Sequence, residues 1–116
     1  MKSNPIVDKT LKFSLQIINF TKDIDKSPQG IVISKQIIRS GTSIGANVVE
    51  AQDASSKKEF AQKLSISLRE AKETMYWLSL IELGGLTRRR IDEERNQLNE
   101  IIAMLTSIVR SARRNC

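Results

Sequence analysis

At 116 residues, the chain reads as one compact domain spanning 1–116. It is 40% hydrophobic but only 4% aromatic, so its core must come from Ile, Leu, Val and Ala. Nineteen basic residues against thirteen acidic leave a net charge of +6, a balance that suits a polyanionic partner. Histidine is absent and Cys116 is the single cysteine, which removes the commonest general base, metal ligand and pH switch and any internal disulfide.

Pro5 opens the first predicted helix, with Asn4 or Ser3 as its cap. Ile6, Val7, Leu11, Phe13, Ile17, Ile18, Phe20 and Ile24 give it an apolar face wider than a surface helix needs. Asp23-Ile24-Asp25-Lys26 ends it. Ser27 then caps a second helix that starts at Pro28 and runs to about Asp53.

This second helix is unusual. Ile37, Gly41, Ile44, Val48 and Ala51 share one face, and small residues (Ser40, Gly41, Ser43, Gly45, Ala46) cluster around it. Each glycine weakens a soluble helix by about 1 kcal/mol relative to alanine, which close approach of another helix at Gly41 and Gly45 would offset. Arg39, Ser43, Asn47 and Glu50 form a polar stripe on the other side.

Ser56 and Glu59 form a capping box at the start of helix three. Phe60, Leu64, Leu68, Ala71, Met75 and Leu78 line one face of that helix, with Ile66, Trp77 and Leu80 as a second apolar edge. Gly84-Gly85 stops it. Thr87 is the expected cap of helix four, in which Ile91, Leu98, Ile101, Ile102, Leu105, Ile108, Val109 and Ala112 recur at heptad-like spacing. Four helices with short connections predict an all-α, antiparallel up-down-up-down four-helix bundle.

Nothing in the chain points to catalysis. There is no Gly-rich phosphate loop, serine elbow or Glu-x-x-His pair, so no catalytic, cofactor or metal site is expected. The carboxylates Asp92-Glu93-Glu94 read as a solvated first helical turn. No apolar run reaches the ~18 residues of a bilayer span and no signal-peptide core precedes Pro5. The expectation is therefore a cytoplasmic, non-enzymatic protein with no membrane partner, its lone Cys116 a frayed terminal thiol.

The stretch Ile37-Ile38-Arg39-Ser40-Gly41-Thr42-Ser43-Ile44-Gly45-Ala46-Asn47-Val48-Val49-Glu50 resembles a signature of the four-helix-bundle proteins encoded in intervening sequences of bacterial 23S rRNA genes. Ser56-Lys57-Lys58-Glu59-Phe60 and Arg69-Glu70-Ala71-Lys72-Glu73-Thr74-Met75-Tyr76-Trp77-Leu78 are similar to that family's helix three. Together the resemblance covers roughly residues 11–114. It departs at Ala51-Gln52, where many relatives place a glycine. The resemblance implies an up-down bundle assembled as a cyclic homo-oligomer, a homopentamer foremost, with no catalytic residues. One branch of the wider family is the accessory protein of diversity-generating retroelements, a basic oligomer associated with a reverse transcriptase and nucleic acid.

Two groups of residues carry the functional expectations. Arg39, Ser43, Asn47 and Glu50, with Gly41 and Gly45, are candidates for an interface or polar network. Arg39 and Glu50 lie three turns apart, so each needs a partner from another helix or subunit. Arg88, Arg89, Arg90, Arg95, Arg110, Arg113 and Arg114, with Lys57 and Lys58, are candidate nucleic-acid-binding residues. Residues 87–116 hold seven arginines against four acids, +3 of the total +6.

Arg88–Arg90 would oppose the dipole of helix four's first turn, offset by Arg89–Glu93 and Arg90–Glu94 pairs. Tyr76 and Trp77 read as core or interface anchors, and so few aromatics argue against base-specific readout. The expected function is association of a basic homo-oligomer with an RNA or DNA backbone. The alternative is an oligomeric scaffold that docks a protein partner and binds no nucleic acid.

Overall fold

The computed structural model describes residues 4–115; Ser3 and Cys116 lie outside them. Helix α1 spans Pro5–Phe20, α2 Pro28–Gln52, α3 Lys57–Leu83 and α4 Asp92–Arg114. Asn4 holds extended backbone ahead of Pro5, and its side chain donates to Gln52 at the far end of α2 rather than capping α1. A 3-10 turn over Thr21–Asp23 follows α1. Ser27 Oγ accepts from Gly30 N at 3.1 Å and starts α2.

Ser56 Oγ accepts from Glu59 N at 3.1 Å and starts α3. The Glu59 carboxylate reaches back one residue further than a capping box requires, to the amide and hydroxyl of Ser55. Those two hydrogen bonds hold its carboxyl below the ordinary carboxylate range. Helix α3 ends in a Schellman turn: Gly85 takes φ +65°, Leu86 N donates to Ile81 O and Gly85 N to Glu82 O.

Lateral contacts fix the topology. Asn4 meets Gln52 across α1 and α2. Lys63 meets Glu50 across α3 and α2, Arg113 meets Ser65 across α4 and α3, and Lys9 meets Glu100 across α1 and α4. The first three pairs each set an early stretch of one helix beside a late stretch of its neighbour, and Lys9–Glu100 together with Gln16–Glu94 shows α1 and α4 running in opposite directions, so the four helices run up-down-up-down. No strand occurs among the described residues, only an isolated antiparallel bridge between Ile24 and Thr87.

The interior is aliphatic apart from Phe13 and Phe20, with Ile17, Ile37, Ile44, Leu64, Leu78, Leu98, Ile101 and Leu105 fully buried. Small polar groups share it. Ser67 Oγ donates to Ile44 O at 2.7 Å, and Thr74 Oγ1 lies 2.9 Å from Ser40 Oγ. These buried hydroxyls of α3 sit where α2 is thinnest. The wide apolar face of α1 divides: Phe13, Ile17 and Phe20 turn inward, while Leu11, Leu15 and Ile18 remain exposed.

Gly41 and Gly45 of α2 face α1, not the polar stripe. A Cβ on Gly41 would stand 3.0 Å from Ile17 Cγ2, and one on Gly45 3.3 Å from Thr10 Oγ1. Gly30 is tighter still, because its Cβ would fall 1.8 Å from the carbonyl oxygen of Asp25.

The expected order of destabilisation is therefore Gly30→Ala, then Gly41→Ala, then Gly45→Ala. Ile17 is fully buried and has no room to swing aside. Overpacking of about 1–3 kcal/mol at Gly41 exceeds the helix-propensity gain of roughly 1 kcal/mol. Thermal melts check the order, and a Gly41→Ala protein melting above the wild type contradicts it.

Candidate nucleic-acid interface

The candidate arginines divide between the two ends of the bundle, in different electrostatic states. At the end where α3 finishes and α4 begins, they are mostly neutralised. Helix α4 starts at Asp92, so Thr87 is not its cap and Arg88, Arg89 and Arg90 lie in the preceding loop instead of its first turn. Two physical reasons displace the start. The Thr87 hydroxyl donates to Asp23 O at 2.9 Å, tying this loop to the one after α1. Asp92, Glu93 and Glu94 then occupy the first turn, where the helix dipole favours carboxylates and disfavours arginines.

Arg89 is the centre of that end. Its Nε donates to Asp23 Oδ2 at 2.8 Å and its Nη2 to Glu94 Oε2 at 2.9 Å. Its guanidinium carbon stands 4.6 Å from the Phe20 ring centroid, a cation–π contact. Hydrogen bonding to Glu94 raises the Arg89 pKa further above its usual value. Glu94, read from sequence as solvated, is 2% exposed and also accepts from Gln16 Nε2. The expected Arg89–Glu93 and Arg90–Glu94 pairs are replaced by Arg89–Glu94 and Arg90–Asp92. Arg95 pairs with Glu82. Arg88 is exposed and has no carboxylate partner among the described residues.

The opposite end differs. Lys57, Lys58, Arg110 and Arg114 are exposed and, among the described residues, form no ion pair. Arg113 meets only a neutral partner, donating to Ser65 Oγ at 2.8 Å. Lys57, Phe60, Ala112 and Asn115 line one shallow pocket, which places the start of α3 beside the end of α4. After Glu100 the rest of α4 carries no acid. Asp8 in the first turn of α1 and Asp53 at the C-cap of α2 are exposed carboxylates near this end, while Glu50 is paired with Lys63 and Glu59 is engaged by Ser55. Arg69 and Lys72 of α3, not singled out from the sequence, add two unpaired cations facing α4. The signal was there in the spacing Ser65-Arg69-Lys72, a polar row one turn apart on α3.

The α2 stripe lies along the seam with α3. Arg39 pairs with Glu70 and Glu73, and Glu50 with Lys63 at 3.3 Å. Ser43 Oγ and Asn47 Nδ2 donate back to the carbonyls of Arg39 and Ser43. The stripe is thus joined to α3 by ion pairs, whereas Gly41 and Gly45 lie against α1. Trp77 Nε1 donates to Glu73 at 2.9 Å, and Tyr76 packs edge-on against it with its own ring 58% exposed. Among the described residues, no cluster of three or more Asp, Glu or Cys is placed to hold a metal ion. No helix is long and apolar enough to cross a membrane.

Removing Arg89 would leave the Glu94 carboxylate buried with only Gln16 as partner. Arg89→Gln is therefore expected to cost on the order of 3 kcal/mol, whereas Arg90→Gln, at an exposed pair, costs under about 1 kcal/mol. Chemical denaturation of the two variants measures this; equal stabilities would contradict it. The Glu59 contribution has the opposite sign of pH dependence to that of a base. It is present at neutral pH and is lost as pH falls through the depressed pKa, so NMR titration should find Glu59 protonating below the ordinary glutamate range.

Comparison with known proteins places this architecture. A solved structure from Bacteroides thetaiotaomicron VPI-5482, described as a protein with unknown function from the S23 ribosomal protein family, is similar at 45% identity and a TM-score of 0.80. The match covers 90% of this chain and 97% of that one. No curated protein matches. A family model described as 23S rRNA-intervening sequence protein matches residues 2–107, nearly the whole chain, and the chain belongs to that family.

Proposed function

We propose that this protein is a non-enzymatic, basic homo-oligomer that associates with the backbone of RNA or DNA. The observation that carries this reading is the partition of charge. Among the described residues, arginines at one end of the bundle are mostly bound to carboxylates, while Lys57, Lys58, Arg110, Arg113 and Arg114 at the other are not. Unpaired guanidinium groups on a regular helix are available to phosphate oxygens without first breaking an ion pair.

Oligomerisation is supported by the large apolar side chains that α1 and α2 leave exposed. Leu11, Leu15 and Ile18 on α1 and Ile31, Val32 and Val49 on α2 are each at least 45% exposed. Leu11, Ala46 and Val49 also line a groove of about 290 Å³ between the two helices. Large apolar side chains left exposed beside such a groove are characteristic of an interface. A ring would repeat the cationic end around its axis, and a homopentamer is the assembly that the family resemblance favours. The setting this reading implies is the cytoplasm, where nucleic acid is accessible.

A second reading is favoured by Tyr76 and Leu83, which lie two turns apart on α3 and are 58% and 84% exposed. They would serve a scaffold that docks a protein partner and binds no nucleic acid.

Fluorescence anisotropy with labelled RNA and DNA separates the two. Backbone association requires binding at ~50 mM salt that weakens steeply towards ~200 mM as counterion release is suppressed. No binding at the lower salt supports the scaffold instead. Light scattering coupled to gel filtration tests assembly, and a 13.1 kDa monomer at micromolar concentration contradicts it.

A further inference from the structure

The groove between α3 and α4 is both cationic and aliphatic. It encloses about 550 Å³ and brings Arg69 and Lys72 of α3 opposite Arg113 of α4, with Ser65, Ile66 and Val109 between them. No carboxylate lines it. The acids nearest in sequence, Glu70 and Glu73, are engaged by Arg39 on the other side of α3. Among the described residues Arg69 and Lys72 form no ion pair, and Arg113 is oriented across the groove by its hydrogen bond to Ser65. Three cations thus converge on a cleft whose floor is aliphatic.

We infer that this groove is a binding site for a single-stranded segment of nucleic acid, with phosphates on the cationic rim and sugar and base on the aliphatic floor. The inference rests on the nucleic-acid reading above and deepens it. Arg69 and Lys72 are one helical turn apart, so they present charge along the groove as a row that follows a strand. A rigid duplex offers such a cleft only its phosphates, whereas a single strand can also lay apolar sugar and base faces against Ile66 and Val109. No aromatic ring lines the cleft, so stacking contributes nothing and the site is indifferent to sequence. A free phosphate ion would satisfy the rim but leave the floor unused.

The test compares labelled oligouridylate with a duplex of equal length across a salt titration, using the full chain. Arg69→Gln combined with Lys72→Gln should weaken single-strand binding at least tenfold at low salt and flatten the salt slope by about 1.4, two phosphates' worth. Ile66→Ser should weaken single-strand binding and leave duplex binding unchanged. Lys35→Gln, on the exposed face of α2, should alter neither. Circular dichroism confirms that each variant remains folded.

Wild-type single-strand affinity retained in both groove variants overturns the groove while leaving nucleic-acid association intact. Displacement of the oligonucleotide by inorganic phosphate at constant ionic strength, as effectively as by unlabelled oligouridylate, overturns it in favour of a free-anion site. Failure of the wild type to bind either strand form overturns both readings at once.

Discussion

Helix α2 must be thin for this bundle to close. It lies against α1 on one side and α3 on the other, and the residues at the two contacts are small: Gly41 and Gly45 toward α1, Ser40 toward α3. Two glycines in a helix interior forfeit stability in isolation. What offsets the loss is proximity, with Ile17 and Thr10 entering the space a side chain would fill. On the other flank, Ser67 and Thr74 of α3 complete the fit by hydrogen bonding to Ile44 O and Ser40. With no buried side-chain polar atom left without a partner among the described residues, these hydroxyls can lie in an otherwise aliphatic interior.

That packing determines which charges are free. Because α3 sits close to α2, Glu70 and Glu73 reach Arg39, and Lys63 reaches Glu50. Because the loop before α4 is tied to the turn after α1, Arg89 is drawn over Phe20 and onto Asp23 and Glu94. The acids of α4 are gathered towards its start, with Glu100 the last, and its C-terminal turns carry only arginines. There the dipole favours cations, so charge accumulates without the repulsion it would meet at the other end.

Much of this was legible in the sequence. Pro5, Ser27-Pro28, Ser56 and Gly84-Gly85 mark helix boundaries by local chemistry, and each marks one in the structure. The start of α4 was not legible, because Thr87 is a good cap in isolation and only its long-range bond to Asp23 diverts it. Periodicity found the aliphatic core but not Ser67, Thr74 or Glu94, whose burial depends on partners 23, 34 and 78 residues away. The arginine-rich tail could be counted from sequence. Which arginines are neutralised could not, since pairing is a property of the assembled helices. Gly30 escaped notice because its neighbour, the Asp25 carbonyl, is brought there by the turn before α2.

The most direct measurement removes equal charge from the two ends and compares nucleic-acid affinity at low salt. Arg88→Gln with Arg90→Gln and Arg110→Gln with Arg114→Gln each delete two exposed arginines, so the net charge of the two proteins is identical. If binding follows the unpaired end of the bundle, the second pair weakens it several-fold and lowers the salt slope, while the first leaves it close to wild type. Equal losses from the two pairs would mean that overall charge, not its placement by the fold, governs association, and would contradict the account.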